Sequence, residues 1–291
     1  MEAALAVCRF AHLLAATTLF GASAYFRLLA PPALRAAQDG AARRLAAAAI
    51  VVAALSALLW LALEAAAMSG SWAGLVDFET LSDVLANTAF GAVWRGRLLV
   101  ALALLVAWAF GRHGPSGFLL VASALLLASL GLVGHAAMQG GALGALHRLN
   151  HALHLLAAGA WLGGLPAFAL SLAAYRDAAL RREAVAAMRR FSDWGRFVVA
   201  LVALTGAANV ALTSGAPPLP PTTPYRALLD AKLALVAAMV TLALLNRCVL
   251  APRLKPEGPA LRALMATTLA EIVLGAAVVA LVSVFGLLDP N

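Results

Sequence analysis

Eight stretches of this chain run for about 20 residues or more with almost no charge, long enough for each to cross the roughly 30 Å hydrocarbon core of a bilayer as a helix. They cover residues 4–29, 45–68, 87–111, 116–138, 146–172, 192–213, 225–250 and 261–288, with boundaries good to about three residues. A chain in lipid must satisfy every backbone N–H and C=O internally, which leaves only helices or a closed barrel. The runs are continuous and rich in Ala and Leu, not short and alternating, so a barrel is excluded. With 64% hydrophobic and 12% charged residues and a mean hydropathy of +0.93, the chain lies far from soluble domains. The predicted fold class is an all-α integral membrane protein with eight transmembrane helices in a single membrane domain, residues 1–291.

The first run carries a Gly-Ala-Ser-Ala sequence at 21–24 that resembles a cleavage site. Glu2 ahead of Arg9, and His12 within the run, are foreign to a secretory signal, and the run is expected to stay as a helix. Fifteen of the 21 Lys and Arg fall in or beside the connections after runs one, three, five and seven, among them Arg35, Arg43, Arg44, Arg181, Arg182, Arg189 and Arg190. Cationic connections stay cytoplasmic. The connection after run two instead carries Asp77, Glu79 and Asp83, and the one after run six is APPLPPTTP. Both termini are therefore predicted to face outward, away from the cytoplasm. Net charge of +8 follows from this arginine distribution and from contact with anionic lipid, so no nucleic-acid partner is needed to explain it. Residues 70–88 place Leu75, Phe78, Leu81 and Leu85 near helical spacing, which predicts a short periplasmic interfacial helix.

Three of the six histidines, His147, His151 and His154, open the fifth run. At about 100° per residue they share one helix face, while the rise of about 10 Å from first to last is too great for one ion to be held by all three. His147 with His151, or His151 with His154, can serve one ion; the full set reads as a ladder. His135 and Met138 lie at i, i+3 near the end of run four, joined to run five by a Gly-rich turn. Cys8 and His12 repeat an i, i+4 spacing in run one, as Glu64 and Met68 do in run two. Imidazole, thiolate and thioether together suit copper, Cu(I) above all, better than Mg, Ca or Mn. Gly159 and Gly163 are spaced for close approach of a neighbouring helix.

Buried charge marks further positions: Glu64, Glu271 in run eight, Lys232 in run seven, and Arg95 and Arg97 in run three. Ionisable groups at such depth are costly and face a cavity, a pathway or a partner. Glu271 is expected to pair with an Arg or with Lys232, and Asn209 and Asn246 to add to a polar interior. No nucleophile triad, phosphate-binding loop or zinc-hydrolase spacing occurs.

The sequences RFAHLLAATTLFG, TAFGAVWRGRL, GHAA, HALHLLAAGAWLGGL, DAKLALVAAM and AEIVLGAAVVALVSVFGLLDP, spread over nearly the whole chain, resemble the copper-resistance D (CopD/PcoD) membrane proteins. That resemblance implies eight helices, an inner-membrane location, copper handling at the periplasmic face and a separate periplasmic copper-binding partner of the CopC type. By position it points to His12, His135, His151 and His154, with His147 the most dispensable. Two mechanisms follow. A permease would take copper at an outer funnel built from His12, His135, His147, His151, His154, Met138 and Cys8 and pass it toward the cytoplasm. The alternative, a haem b protein, would use His12 with His151 or His154 as axial ligands and act as a quinol-linked cupric reductase.

Overall fold

A computed structural model describes residues 1–111, 116–134, 138–214 and 223–288, and among these the chain is helical with no strand. The helices are α1 (Glu2–Ala24), α2 (Pro32–Ala37), α3 (Asp39–Ser69), α4 (Phe78–Asn87), α5 (Ala89–Ala109), α6 (Gly117–Ala128), α7 (Gly141–Leu162), α8 (Leu165–Ala174), α9 (Arg181–Ser214), α10 (Pro224–Leu245) and α11 (Pro259–Phe285). Seven continuous helical stretches among the described residues are long and apolar enough to cross a membrane. The fourth expected run is shorter. It forms α6 and a 3-10 turn, Ser129–Leu132, and stops before Gly134, which adopts φ +71°. Within that turn Gly131 lies close against α7, where a Cβ would stand 2.9 Å from the Ala152 nitrogen.

Proline sets two other breaks. Pro166 lacks an N–H and its ring would strike the carbonyl of Leu162, so the fifth run divides into α7 and α8 at Gly163-Gly164. Wider π turns, Tyr25–Leu29 and Asn246–Leu250, lie just ahead of Pro31 and Pro252. At 34 residues α9 extends about 51 Å, well beyond a bilayer core, and its arginine-bearing first half forms part of one end of the bundle. There Arg190 donates to the Leu29 carbonyl at 3.1 Å and Arg247 to the Ser192 carbonyl at 2.7 Å.

The bundle is built around α1, which packs on α3, α6, α7 and α11. With no hydrophobic drive between helices in lipid, such packing depends on small side chains that let backbones approach. A Cβ on Gly21 would collide with the Gly163 backbone, and one on Gly163 with the Thr17 carbonyl. The neighbour for which Gly159 and Gly163 make room is thus α1. Leu55, Leu58, Leu99, Leu102, Leu204, Leu269 and Val273 stay exposed on the outside of the bundle, where an apolar surface meets lipid.

Outside the long helices, Asp77 caps α4, accepting from the Thr80 N–H at 3.0 Å and from the Thr80 hydroxyl. The hydroxyl and then the amide of Thr80 hold the Asp77 carboxyl below the ordinary aspartate range. Arg95 is exposed and donates to the Leu85 carbonyl and, at 3.5 Å, to that of Ala86. It closes the C-terminal turn of α4, a structural duty in place of the expected buried pathway charge.

Candidate functional site

Between α1, α3, α7, α9, α10 and α11, at the end of the bundle away from the arginine-bearing first half of α9, lies a chamber of about 470 Å³. His147, His151 and His154 all line it, together with Asn209, Tyr225, Lys232, Arg9 and Glu64. The helical repeat is what aligns the imidazoles, and their neighbours fix the rings. His147 Nδ1 stands 2.8 Å from Gln139 Oε1, and the Gln139 amide nitrogen is committed to the Leu212 carbonyl at 2.6 Å. His147 therefore donates from Nδ1 and carries its lone pair on Nε2.

His154 follows the same rule. The Thr205 hydroxyl gives its proton to the Leu201 carbonyl at 2.6 Å, so at 3.0 Å it accepts from His154 Nδ1. Gly206 provides the space, since a Cβ there would stand 3.3 Å from His154 Cε1. His151 is held the other way round. Asn150 donates at 2.8 Å to Asn209 Oδ1, which turns the Asn209 amide nitrogen toward His151 Nδ1 at 3.2 Å. The rings of His151 and His154 are nearly parallel, with centroids 6.4 Å apart. A donated Nδ1–H that leaves an Nε2 lone pair is the arrangement found at metal-ligating histidines, and His147 and His154 both have it. Among the described residues no group of three His, Cys, Asp or Glu side chains converges on one ion position.

The chamber ends on apolar side chains. Thr17, Leu162 and Val278 lie deepest, about 22 Å along α7 from His147 to Leu162. At this depth Leu162 and Met239 pack over Gly275. Glu271 sits one turn further on, 3% exposed, and accepts from Asn246 Nδ2 at 2.6 Å, while Thr267 donates to Asn246 Oδ1 at 2.6 Å. Its partner is an amide from the π turn in place of the expected cation.

The remaining expected ligands lie elsewhere. His12 is fully buried away from the chamber, edge-on to Trp60 at 5.6 Å and against Trp94 at 6.1 Å. Its Nδ1 reaches Ala53 O at 3.1 Å and Ser56 Oγ at 2.9 Å, and its Nε2 accepts from Arg97 Nη2. Both ring nitrogens are engaged, so His12 does not fit an axial haem ligand. Arg97, 1% exposed, also donates through Nη1 to Leu126 O and to Ser129 Oγ, each at 2.6 Å, and lies over the Trp94 ring at 4.9 Å. Cys8 is buried and donates to the Ser56 carbonyl at 3.3 Å. Met138 is exposed and does not line the chamber. His135 lies outside the described residues.

Sequence reasoning passed over Gln139, Asn150 and Thr205, which orient the rings, and Arg9, which lines the wall. Asn150 alone left a signal, an amide one position before His151 in an otherwise greasy helix.

Two family models match the chain: "Copper resistance protein D-like, N-terminal domain" over residues 1–145 and "Copper resistance protein D" over residues 185–285. The inner membrane protein YebZ of Escherichia coli (strain K12) is 34% identical over 284 residues, 97% of this chain and 97% of that protein. The copper resistance protein D of Pseudomonas syringae pv. tomato is 33% identical over 205 residues, 68% of this chain and 66% of that protein. No solved structure matches. With both family models covering most of its length and a relative matched nearly end to end, the chain belongs to the copper resistance protein D family of membrane proteins.

Proposed function

We propose that this protein takes copper from the periplasm at the histidine-lined chamber and moves it toward the cytoplasm. The observation that carries the reading is the state of the histidines: His147 and His154 donate from Nδ1 to Gln139 and Thr205 and keep lone pairs on Nε2. In this reading the short helical segment Gly117–Leu132 completes an eight-span bundle in the inner membrane, and both termini face the periplasm. The arginines of Arg181–Ser214 and of the connections before α3 and α11 then lie on the cytoplasmic side, in keeping with the positive-inside rule. α4, with its amphipathic sequence and its cap at Asp77, rests on the periplasmic surface.

His135 and Met138, which precede α7 in the sequence, are offered as further copper donors, and a separate CopC-like carrier would deliver the metal. The Leu162, Met239 and Gly275 contact is the barrier that transport must open, with the Glu271 carboxyl as the first oxygen donor beyond it. The haem reading draws no support from His12, because Arg97 occupies its Nε2.

The test is copper uptake by proteoliposomes of known orientation. Wild-type protein should accumulate copper, and a His147→Ala/His151→Ala/His154→Ala variant should fall to the level of empty vesicles while remaining folded. Equal uptake by the variant would overturn the assignment of the chamber.

A further inference from the structure

The charges lining the chamber do not balance. Among the described residues Lys232 reaches no carboxylate within hydrogen-bonding distance, and its ammonium stands over the face of Phe285, 5.6 Å from Nζ to the ring centroid. Asp230 lies two residues before it on α10, a spacing that turns the two side chains to opposite sides of the helix, and its own carboxylate oxygens are buried without a partner. Arg9 lies over the Trp60 ring at 5.1 Å beside Glu64, with its guanidinium against Gly286, where a Cβ would strike it, and its Nε finds no acceptor. Among the described residues, two cations, Arg9 and Lys232, thus share the lining with one carboxylate, Glu64.

Such a wall repels a bare copper cation and attracts an anion. Among the described residues no three His, Cys, Asp or Glu side chains meet at one point, so those side chains leave coordination positions open. Room is not short: about 470 Å³ is many times the roughly 30 Å³ that one water molecule occupies in the liquid.

We infer that the chamber takes copper together with a small monoanionic ligand, the metal on the histidines and the anion on the ammonium of Lys232. This rests on the reading of the chamber as a copper site and goes beyond it by naming the form in which the metal is accepted. The anion completes the coordination sphere that the side chains leave open and neutralises Lys232 at a depth where an unpaired charge is expensive. No bond to carbon forms or breaks, and the copper keeps its oxidation state.

The experiment uses full-length protein in detergent, loaded with Cu(II) and titrated with azide, a monoanion whose ligation to Cu(II) produces a charge-transfer absorption band. In wild-type protein the band should appear and saturate. Lys232→Met should retain its copper but raise the azide concentration for half-saturation by about tenfold or more, the loss expected for one charge-assisted hydrogen bond. Lys232→Arg should restore it to within about threefold of wild type, because the cation is kept. Equal half-saturation in wild type and Lys232→Met, or the absence of any band in copper-loaded wild type, would overturn the inference. Displacement of azide by phosphatidylglycerol micelles would assign Lys232 to a lipid headgroup and overturn it as well. A wild-type protein that binds no copper would overturn the underlying reading and this one with it, and copper content, measured separately, tells these failures apart.

Discussion

Replacing His12 with Ala separates a structural histidine from a metal ligand. In the packed protein Arg97 is satisfied at Nη1 by Leu126 O and Ser129 Oγ, at Nη2 by His12 alone, and at Nε by nothing. Without the imidazole, two of the three guanidinium nitrogens lack an acceptor in a site that is 1% exposed. Losing a hydrogen bond to a charged group costs about 1.5–3 kcal/mol, and the space left between Trp60 and Trp94 adds about 1–2 kcal/mol. A total of about 2.5–5 kcal/mol approaches what is seen when one partner of a buried charged pair is removed. The assay is unfolding of the detergent-solubilised protein, followed by helical signal, for His12→Ala, Arg97→Met and the double variant His12→Leu/Arg97→Met. Each single change should destabilise strongly. The double variant should recover most of the loss, because no stranded charge is left. Copper content of the folded fraction should stay at the wild-type level in all three. A His12→Ala protein of unchanged stability that has lost its copper would refute the reasoning.

Three further predictions follow from the geometry. Thr205→Val removes the acceptor that sets the His154 tautomer and should weaken copper binding by about 10–100-fold with little change in fold, measured by competition with a chromophoric chelator. Gly163→Leu puts a side chain into the Thr17 backbone and should abolish accumulation of folded protein, whereas Gly96→Ala, with open space around it, should be neutral; fluorescence-detected size-exclusion chromatography distinguishes them. The Asp77 carboxyl lies below its unfolded range because of Thr80, so its contribution to α4 is complete above the ordinary aspartate range and is lost as pH falls through the depressed folded value. Hydrogen exchange at the Thr80 amide should accelerate on that acid limb in wild type, and Asp77→Ala should exchange fast at every pH.

The sequence carried the helices because lipid leaves the backbone no alternative, and the one-face alignment of His147, His151 and His154 because it follows from 3.6 residues per turn. What spacing could not convey was which helix each side chain meets. Cys8 and His12 share a face, as their i, i+4 interval requires, but that face turns to Ser56 of α3 and not to the chamber. Arg97 and Arg95 read alike as buried cations in one run, yet one is locked into the core and the other ends α4. Glu271 found an amide, Asn246, the first residue of the π turn Asn246–Leu250. The fourth run read as long as the others, yet its continuous helical part is only Gly117–Leu132, with Gly131 close against α7, a contact written in another part of the chain. Local rules decided the elements, and tertiary contacts decided which polar groups stayed available for chemistry.

X-ray absorption at the copper edge of the loaded protein tests the central claim most directly. The account predicts the outer-shell scattering of imidazole around copper in wild type and in His12→Ala, and its loss in His147→Ala/His151→Ala/His154→Ala. Imidazole scattering that survives in the triple variant, or that disappears in His12→Ala while the fold is intact, would contradict it.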